Sequence, residues 1–428
     1  MTTITERRGP AAHLCTWLDR WGPILPLLAA EFMVLVGFGA VLPVLPLYLT
    51  EHGVDIATLG LVVAAWPAAR LVGEPIFGWI ADRTNRKPLM VAGLVLSALF
   101  VVGPLAVSGA VAFIGMRALA GAASALYDPA ARGYLMDATP EDRRGEAFGL
   151  FSAAQNAGFI FGPALGGIAA AITGDVRAVF FVGGIGILVA AAVVAVAVRE
   201  RPHSRREGTD AAAAVAPDAA SPTPAAPSSL WNRMLIVAIA LNFGNYFAGG
   251  VWEVIWSLYM VARGGDLTWI GVTFALFGLP ILIVSPFAGR LVDRRGPLLF
   301  ITLGTVIAIV TSLLYVVVRD LPTIAVIVLA EGLGWALVAP ALFSIVGKGT
   351  PAGRSSTAQG IFGASGTLAF IVASIVAGQL FALSLEAPFI LIAVMEALTF
   401  MVALAIGGRI GLARMTLRST PSGSAEPA

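Results

Sequence analysis

The sequence predicts an all-α membrane protein of twelve transmembrane helices in two six-helix halves. Three observations carry this prediction. The 428 residues are 58% hydrophobic and only 12% charged, about half the charged share of a soluble domain. Apolar runs long enough to cross a hydrocarbon core as helices, roughly 20 residues each, recur along the whole chain. Finally, Gly78-Trp79-Ile80-Ala81-Asp82-Arg83 returns as Gly289-Arg290-Leu291-Val292-Asp293-Arg294, 211 residues later. The same offset carries Thr139-Pro140 onto Thr350-Pro351, Arg143 onto Arg354, Gly121 and Pro129 onto Gly332 and Pro340, and Gly149, Phe151 and Ala153 onto Gly360, Phe362 and Ala364. One offset serving four separate stretches makes the chain two copies of one unit in the same order. In so apolar a chain, a parallel repeat points to a secondary transporter whose halves rock about a site between them.

The predicted spans are 24–49, 57–80, 88–107, 110–134, 146–172, 178–198, 232–261, 268–290, 298–317, 322–346, 357–383 and 387–408. Lipid offers no partner to backbone N–H and C=O groups, and helices satisfy them internally; a barrel would show short alternating strands. The chain divides into an N-terminal segment (1–23), a first half (24–199), a linker (200–230), a second half (231–408) and a tail (409–428). The first segment carries Arg7, Arg8, Asp19 and Arg20 without a short apolar core, which excludes a cleavable signal peptide. Leu14, Trp17, Leu18 and Trp21 suit one turn lying on the membrane surface. The single cysteine, Cys15, allows no internal disulfide. The linker is rich in Ala, Pro and Ser and reads as flexible, as does the tail.

Of 27 Lys and Arg residues, Arg177, Arg263 and Arg319 fall on one side of the predicted bundle, and Arg70 and Arg117 lie inside spans. The rest gather on the side that holds both termini, which places the termini in the cytoplasm of a multi-pass protein of the inner (cytoplasmic) membrane. Basic residues scattered over short loops make no nucleic-acid surface. The three histidines, His13, His52 and His203, lie outside the spans, no metal cluster is spelled out, and Gly347-Lys348-Gly349 breaks the phosphate-loop pattern. No metal, no cofactor and no enzymatic activity are expected. The expected partners are a small-molecule substrate, protons and the lipid bilayer, with the chain a monomer.

Four motifs stand out. Between spans two and three lie Gly78, Asp82, Arg83, Arg86 and Lys87, with Asp137 past span four as a partner for Arg83 or Arg86. Gly289, Asp293 and Arg294 repeat the pattern in the second half. Arg117 stands inside span four, with Gly121 one turn later. Span five reads Gly158-Phe159-Ile160-Phe161-Gly162-Pro163-Ala164-Leu165-Gly166-Gly167, and Gly158, Gly162 and Gly166 form one bare face for close helix packing. At the same offset span eleven has Ala369, Ala373 and Ser374, so the Gly/Pro pattern belongs to one half. Span one carries Gly37-Phe38-Gly39 and Pro43 to Pro46, the mark of a deformable helix.

These residues resemble the major facilitator superfamily over nearly the whole chain, and within it the twelve-span drug:proton antiporters. The resemblance implies the major-facilitator fold and proton-coupled export of small amphiphilic compounds by alternating access; the alternative is uptake or facilitated transport of a sugar or other metabolite. It implies that Asp82 faces the N-terminus of span eleven, beside Ser355 and Ser356, as an inner latch. It also implies that Arg117 serves proton coupling and that the span-five pattern marks export. Two departures are Asn85 where the family has Gly, kept in the second copy as Gly296, and Ala120 where it has Gln. Arg117 reaching to the outer surface remains an alternative.

Acids within spans are rare and point to function. Glu31 and Asp128 lie at similar depth on spans one and four, about seven residues from their inner ends. Desolvation disfavours the charged form of a buried carboxylate, so such a group binds and releases a proton as water access changes. Glu31, Asp128 and Arg117 are the proton-coupling candidates. Glu253 and Glu331 suit a cationic substrate or a second proton, while Glu74, with Arg70 one turn earlier, suits an internal ion pair. Glu396 is expected to be structural. The expected substrate cavity is Tyr127, Asn242, Tyr246, Trp252, Glu253, Trp256 and Glu331; Trp335 is a further aromatic candidate for stacking on flat or cationic compounds.

Overall fold

The computed structural model describes residues 20–140, 143–199, 231–350 and 355–416. The surface turn expected around Leu14 to Leu18, Cys15, the whole linker, Arg354 and the end of the tail lie outside the described residues. Helices occupy all twelve expected positions. Span one is a bent pair, Leu25–Val41 and Leu45–Glu51, inclined by 40°. The others are Ile56–Ala81, Arg86–Val102, Ala110–Ala138, Arg144–Thr173, Arg177–Ala197, Arg233–Ala262, Leu267–Arg295, Leu298–Val317, Leu321–Gly349, Ser355–Leu383 and Ala387–Thr416. Ten of these are long and apolar enough to cross a membrane, and the bent pair makes an eleventh. The Arg144–Thr173 helix is not among those ten, although at 30 residues it completes the order.

Each break has a local cause. Pro43 and Pro46 lack backbone donors, and the helix of span one stops at Val41 and restarts at Leu45. Asp55 caps span two by accepting from Thr58 N at 2.9 Å and Thr58 Oγ1 at 2.6 Å. Its repeat mate Asp266 caps span eight through Trp269 N at 3.0 Å. Asp320 caps span ten through Thr323 N at 3.0 Å. Asn85 has φ −65° and ψ 131°, ordinary extended backbone, whereas Gly296 has φ 82°. The first loop therefore takes a turn any residue can adopt, and only the second needs glycine.

Packing repeats with the sequence. Spans two and four pack as eight and ten do, one and five as seven and eleven, one and six as seven and twelve, and three and six as nine and twelve. The halves join through two equivalent contacts, span two with span eleven and span five with span eight. These relations define a parallel pseudo-twofold.

Call the end where span one begins proximal and the other distal. One apolar cluster draws on both halves: Leu45, Tyr48, Leu59, Phe113 and Phe180 with Phe247, Trp256, Tyr259 and Ala373. It lies toward the distal end. Toward the proximal end the halves keep separate clusters, one around Leu27, Met90, Tyr134 and Ala191 and one around Leu235, Phe300, Leu342 and Phe362. Gly149 of span five, Gly347 of span ten, and Gly360 and Gly363 of span eleven face open space there. The halves thus meet distally and part proximally.

Glycine decides how close the helices come. Lipid tails are as apolar as Leu, so burial gives helices no reason to associate, and close backbone contact takes its place. A Cβ on Gly162 would stand 2.7 Å from Val36 O, one on Gly166 at 2.5 Å from Ala40 O, and one on Gly158 at 2.8 Å from Leu35 Cβ, so the bare face of span five is its seat on span one. Gly37 and Gly39 turn toward spans six and five and serve packing rather than a cavity wall. Gly78 makes no such close contact: a Cβ there would meet Pro129 Cβ at 3.6 Å, ordinary van der Waals distance, and Gly289 repeats this with Pro340 at 3.9 Å.

Two predictions follow from this packing. At the distal seam a Cβ on Gly60 would lie 2.9 Å from Ser374 C. Gly60→Leu should therefore cost about 1–3 kcal/mol, lower the melting temperature in detergent and, in a Cys15→Ser background, expose a cysteine introduced at the distal seam to thiol reagents, whereas Gly78→Ala should match wild type in both assays. The side-chain hydrogen bonds from Thr58 and Thr323 hold the carboxyls of Asp55 and Asp320 below the usual Asp range. Their contribution is present above the unfolded Asp value and lost as pH falls through the lower folded one. Asp55→Ala with Asp320→Ala should destabilise at pH 7, and the difference in melting temperature from wild type should shrink as the pH falls below the ordinary Asp value.

Candidate functional site

Glu31 is the most enclosed acid of the first half, 1% exposed. The glycine face of span five draws that helix onto span one, and Gln155, three residues before Gly158, shares the face. Gln155 Nε2 donates to Glu31 Oε1 at 2.6 Å, and Tyr127 of span four donates its hydroxyl to Glu31 Oε2 at 2.6 Å. Both partners are neutral. Among the described residues no cation is within 4.0 Å of Glu31; the charged groups that face it from farther away are Asp128 and Arg132 of span four and Arg70 of span two. The carboxylate is therefore held in place without being neutralised.

Asp128, the next residue on span four, points to a different partner. It pairs with Arg70 of span two. Arg70 also holds Glu74 at 2.6 Å, as its sequence spacing suggests, and its guanidinium lies 4.6 Å from the centre of the Trp66 ring. Asp128 and Glu74 thus share one arginine.

Arg117 departs from its expected settings. It neither reaches the surface nor approaches Glu31; it lies ten residues before Tyr127, about 15 Å along the helix. It is buried and meets Glu253 of span seven at 3.0 Å, an ion pair between the halves. Ser257, one turn beyond Glu253, donates to the carbonyl of Pro43 at the break in span one. Both links stand on the distal side of the cleft.

The expected cavity residues divide into two sets. Tyr127, Asn242, Trp256 and Glu331 are buried with protein partners. Asn242 donates to Phe362 O at 2.8 Å and Ser365 Oγ at 3.3 Å. Trp256 donates to Thr273 Oγ1 at 3.0 Å and stacks on Trp252 at 3.7 Å between ring centres. Glu331 accepts from the Tyr315 hydroxyl at 2.7 Å. Tyr246, by contrast, is 43% exposed midway along span seven and feels Arg70 and Arg132 of the other half across the cleft. Trp252, Glu253 and Trp335 also keep part of their surface. Glu396 is buried on span twelve close to Gly244 of span seven.

At the proximal end Arg86 pairs with Asp137 and has Asp82 at 3.8 Å. Its guanidinium fills the space over Gly133, where a Cβ would stand 2.7 Å from Arg86 Cζ. Arg83 turns back on Trp79, 4.0 Å from the ring centre, and bonds Trp79 O. Asp82 keeps 74% of its side chain exposed beside Arg86. The parted proximal ends account for this. Lys87 stands in the first turn of span three, and Asp293 and Arg294 stand in the last turn of span eight; the side chain of Asp293 lies outside the described residues, as do Asp142 and the side chains of Ser355 and Ser356.

Gln155, Tyr315, Trp66 and Gly133 are the contributors that sequence reasoning missed. The signal for Gln155 was its place three residues before the first glycine of the packing face; nothing in the sequence marks Tyr315 as the partner of Glu331.

The model of the Major Facilitator Superfamily matches residues 27–354 and 241–421, which together cover both halves. The chain belongs to this superfamily. Its members are carriers, so the protein is a multi-pass membrane transporter and not an enzyme. Among its relatives is the quinolone resistance protein NorA of Staphylococcus aureus (strain MRSA252), 26% identical over 365 residues, covering 83% of this chain and 89% of NorA. An uncharacterized MFS-type transporter of Methanocaldococcus jannaschii is 24% identical over 357 residues, covering 82% of this chain and 88% of that protein. Among solved structures, a bacterial homolog of the human lysosomal transporter Spinster, in an inward-facing and occupied conformation, superposes with a TM-score of 0.75 at 13% identity, covering 94% of this chain and 99% of that one.

The ion pair between the halves of this transporter yields a prediction. Removing one member of a buried pair leaves the other charge uncompensated, at about 3–5 kcal/mol. Arg117→Met should lower the melting temperature strongly, and adding Glu253→Gln should restore most of the loss. A double-mutant cycle in detergent with additive effects would show that the pair has no coupling.

Proposed function

We propose that the protein exports small amphiphilic compounds in exchange for protons across the cytoplasmic membrane, as a monomer with both termini in the cytoplasm. The observation that carries this reading is Glu31, a carboxylate buried inside one half and held by two neutral donors with no cation in pairing range. Such a group changes its proton when water reaches it and not otherwise. The proximal opening is then the cytoplasmic entrance, where a compound reaches Tyr246, Trp252 and the Arg70–Asp128 pair between the halves. Rocking closes that entrance, opens the distal seam and breaks the Arg117–Glu253 and Ser257–Pro43 links. Glu31 takes a proton from the distal side after the compound leaves and releases it to the cytoplasm after the return.

NorA, whose name records quinolone resistance, supports the choice of substrate class. The amides argue against sugar uptake: Asn242 and Gln155 are engaged with protein groups and are not free to bind hydroxyls.

Glu31→Gln keeps the size and most of the hydrogen bonding but cannot titrate. In inverted membrane vesicles it should abolish pH-driven uptake of a fluorescent amphiphile while leaving downhill exchange intact. Asp128→Asn leaves Arg70 its pair with Glu74 and should weaken uptake less. Full proton-driven uptake by Glu31→Gln would remove Glu31 as the coupling acid.

A further inference from the structure

The two copies of the fold differ most at one helix. The repeat offset places Asn242 where the first half has Glu31, and Gly366 where it has Gln155. In the second half Asn242 bonds Phe362 O and Ser365 of span eleven, and the bare Gly366 leaves it room, since a Cβ there would lie 2.8 Å from Asn242 Nδ2. That tie contains no titratable group. In the first half the equivalent tie, span one to span five, runs through the Glu31 carboxylate.

The seams between the halves show the same asymmetry. Where span two meets span eleven, a Cβ on Gly378 would stand 3.2 Å from Ala57 O and one on Gly60 at 2.9 Å from Ser374 C. At the equivalent places where span five meets span eight, a Cβ on Gly167 would stand 3.8 Å from Leu267 O and one on Gly271 at 3.8 Å from Pro163 O. At these places the first seam has no space for a methyl group and the second has, while farther along the second seam a Cβ on Gly278 of span eight would stand 2.5 Å from Ile160 Cγ1 of span five. Pro163, the repeat mate of Ser374, also deprives span five of a backbone hydrogen bond.

We propose that Gln155 is the positioning residue for Glu31, and that span five is the helix whose seat changes with the proton on Glu31. An amide NH2 donates to a carboxylate; a protonated carboxyl on that oxygen needs an acceptor, which Gln155 presents only after its amide rotates. The proton therefore rewrites the bond between spans one and five, and span five carries the change to its looser seam with span eight. Span eleven, tied by Asn242 and tightly seamed to span two, stays in place. This inference rests on Glu31 as the proton site.

The test uses the full chain in lipid, in a Cys15→Ser background. Spin labels at Ala29 and Ser152 report spans one and five, and labels at the repeat mates Ala240 and Gly363 report spans seven and eleven. Raising the pH from 5 to 9 should change the first distance and leave the second unchanged. Gln155→Leu should abolish the change and cut pH-driven uptake tenfold or more, while the KM for substrate and downhill exchange stay near wild type. Gln155→Asn, with the amide kept but its reach shortened, should fall between. In infrared spectra the C=O band of protonated Glu31, assigned by its loss in Glu31→Gln, should move in Gln155→Leu. Equal distance changes in both halves, or a Gln155→Leu protein with wild-type coupling and an unmoved band, would overturn the proposal while Glu31→Gln still abolishes coupling. Retained coupling in Glu31→Gln would instead remove the reading beneath it.

Discussion

In hydrocarbon no water competes for backbone groups and no apolar surface gains by leaving the lipid, so a helical bundle is held by how closely its backbones approach. That constraint shapes this protein. Every tight approach passes over a residue without a side chain: Gly158, Gly162 and Gly166 against span one, Gly183 against Gly37, Gly60 and Gly378 across the seam between the halves. The same contacts bring Gln155 to Glu31 and the break in span one to Ser257. The site is a consequence of the packing.

Apolar and charged contacts divide along the membrane normal. Distally a core common to both halves, the Arg117–Glu253 pair and the Ser257 link close the cleft. Proximally each half keeps its own core, and Arg86–Asp137 is a bond within one half. An ion pair screened from water is strong enough to hold a seam, whereas the exposed Asp82 contributes little in this conformation. The proximal charges are thus placed to act when the halves approach, which fits alternating access.

The pseudo-twofold is close in backbone and loose in chemistry. The caps at Asp55 and Asp266 and the Gly78–Pro129 and Gly289–Pro340 contacts are near copies. The interior acids are not. Glu31, Asp128 and Arg70 have Asn242, Ala339 and Ile281 as their repeat mates. Both halves fold the same way and keep their packing residues alike, while their interior polar residues differ.

The sequence by itself determined the spans, their division into two parallel halves and the close face of span five, because each rests on local apolar length, a fixed offset or helical spacing. It also carried the Arg70–Glu74 pair, which needs only helix periodicity, and offered Asp137 as a partner for Arg83 or Arg86, a choice made by the packing of span three on span four. Whether Gly78 and Asp82 made close contacts was a different kind of question, since that depends on which end of the cleft is closed. The partners of Glu31, Arg117, Glu331 and Asn242 come from helices far apart in the chain, and a rotation of a helix by one residue changes them all. Only the tertiary structure, which sets helix rotation and crossing, decided that Glu31 meets two neutral donors, that Arg117 spans the halves, and that Trp256 and Asn242 are braces.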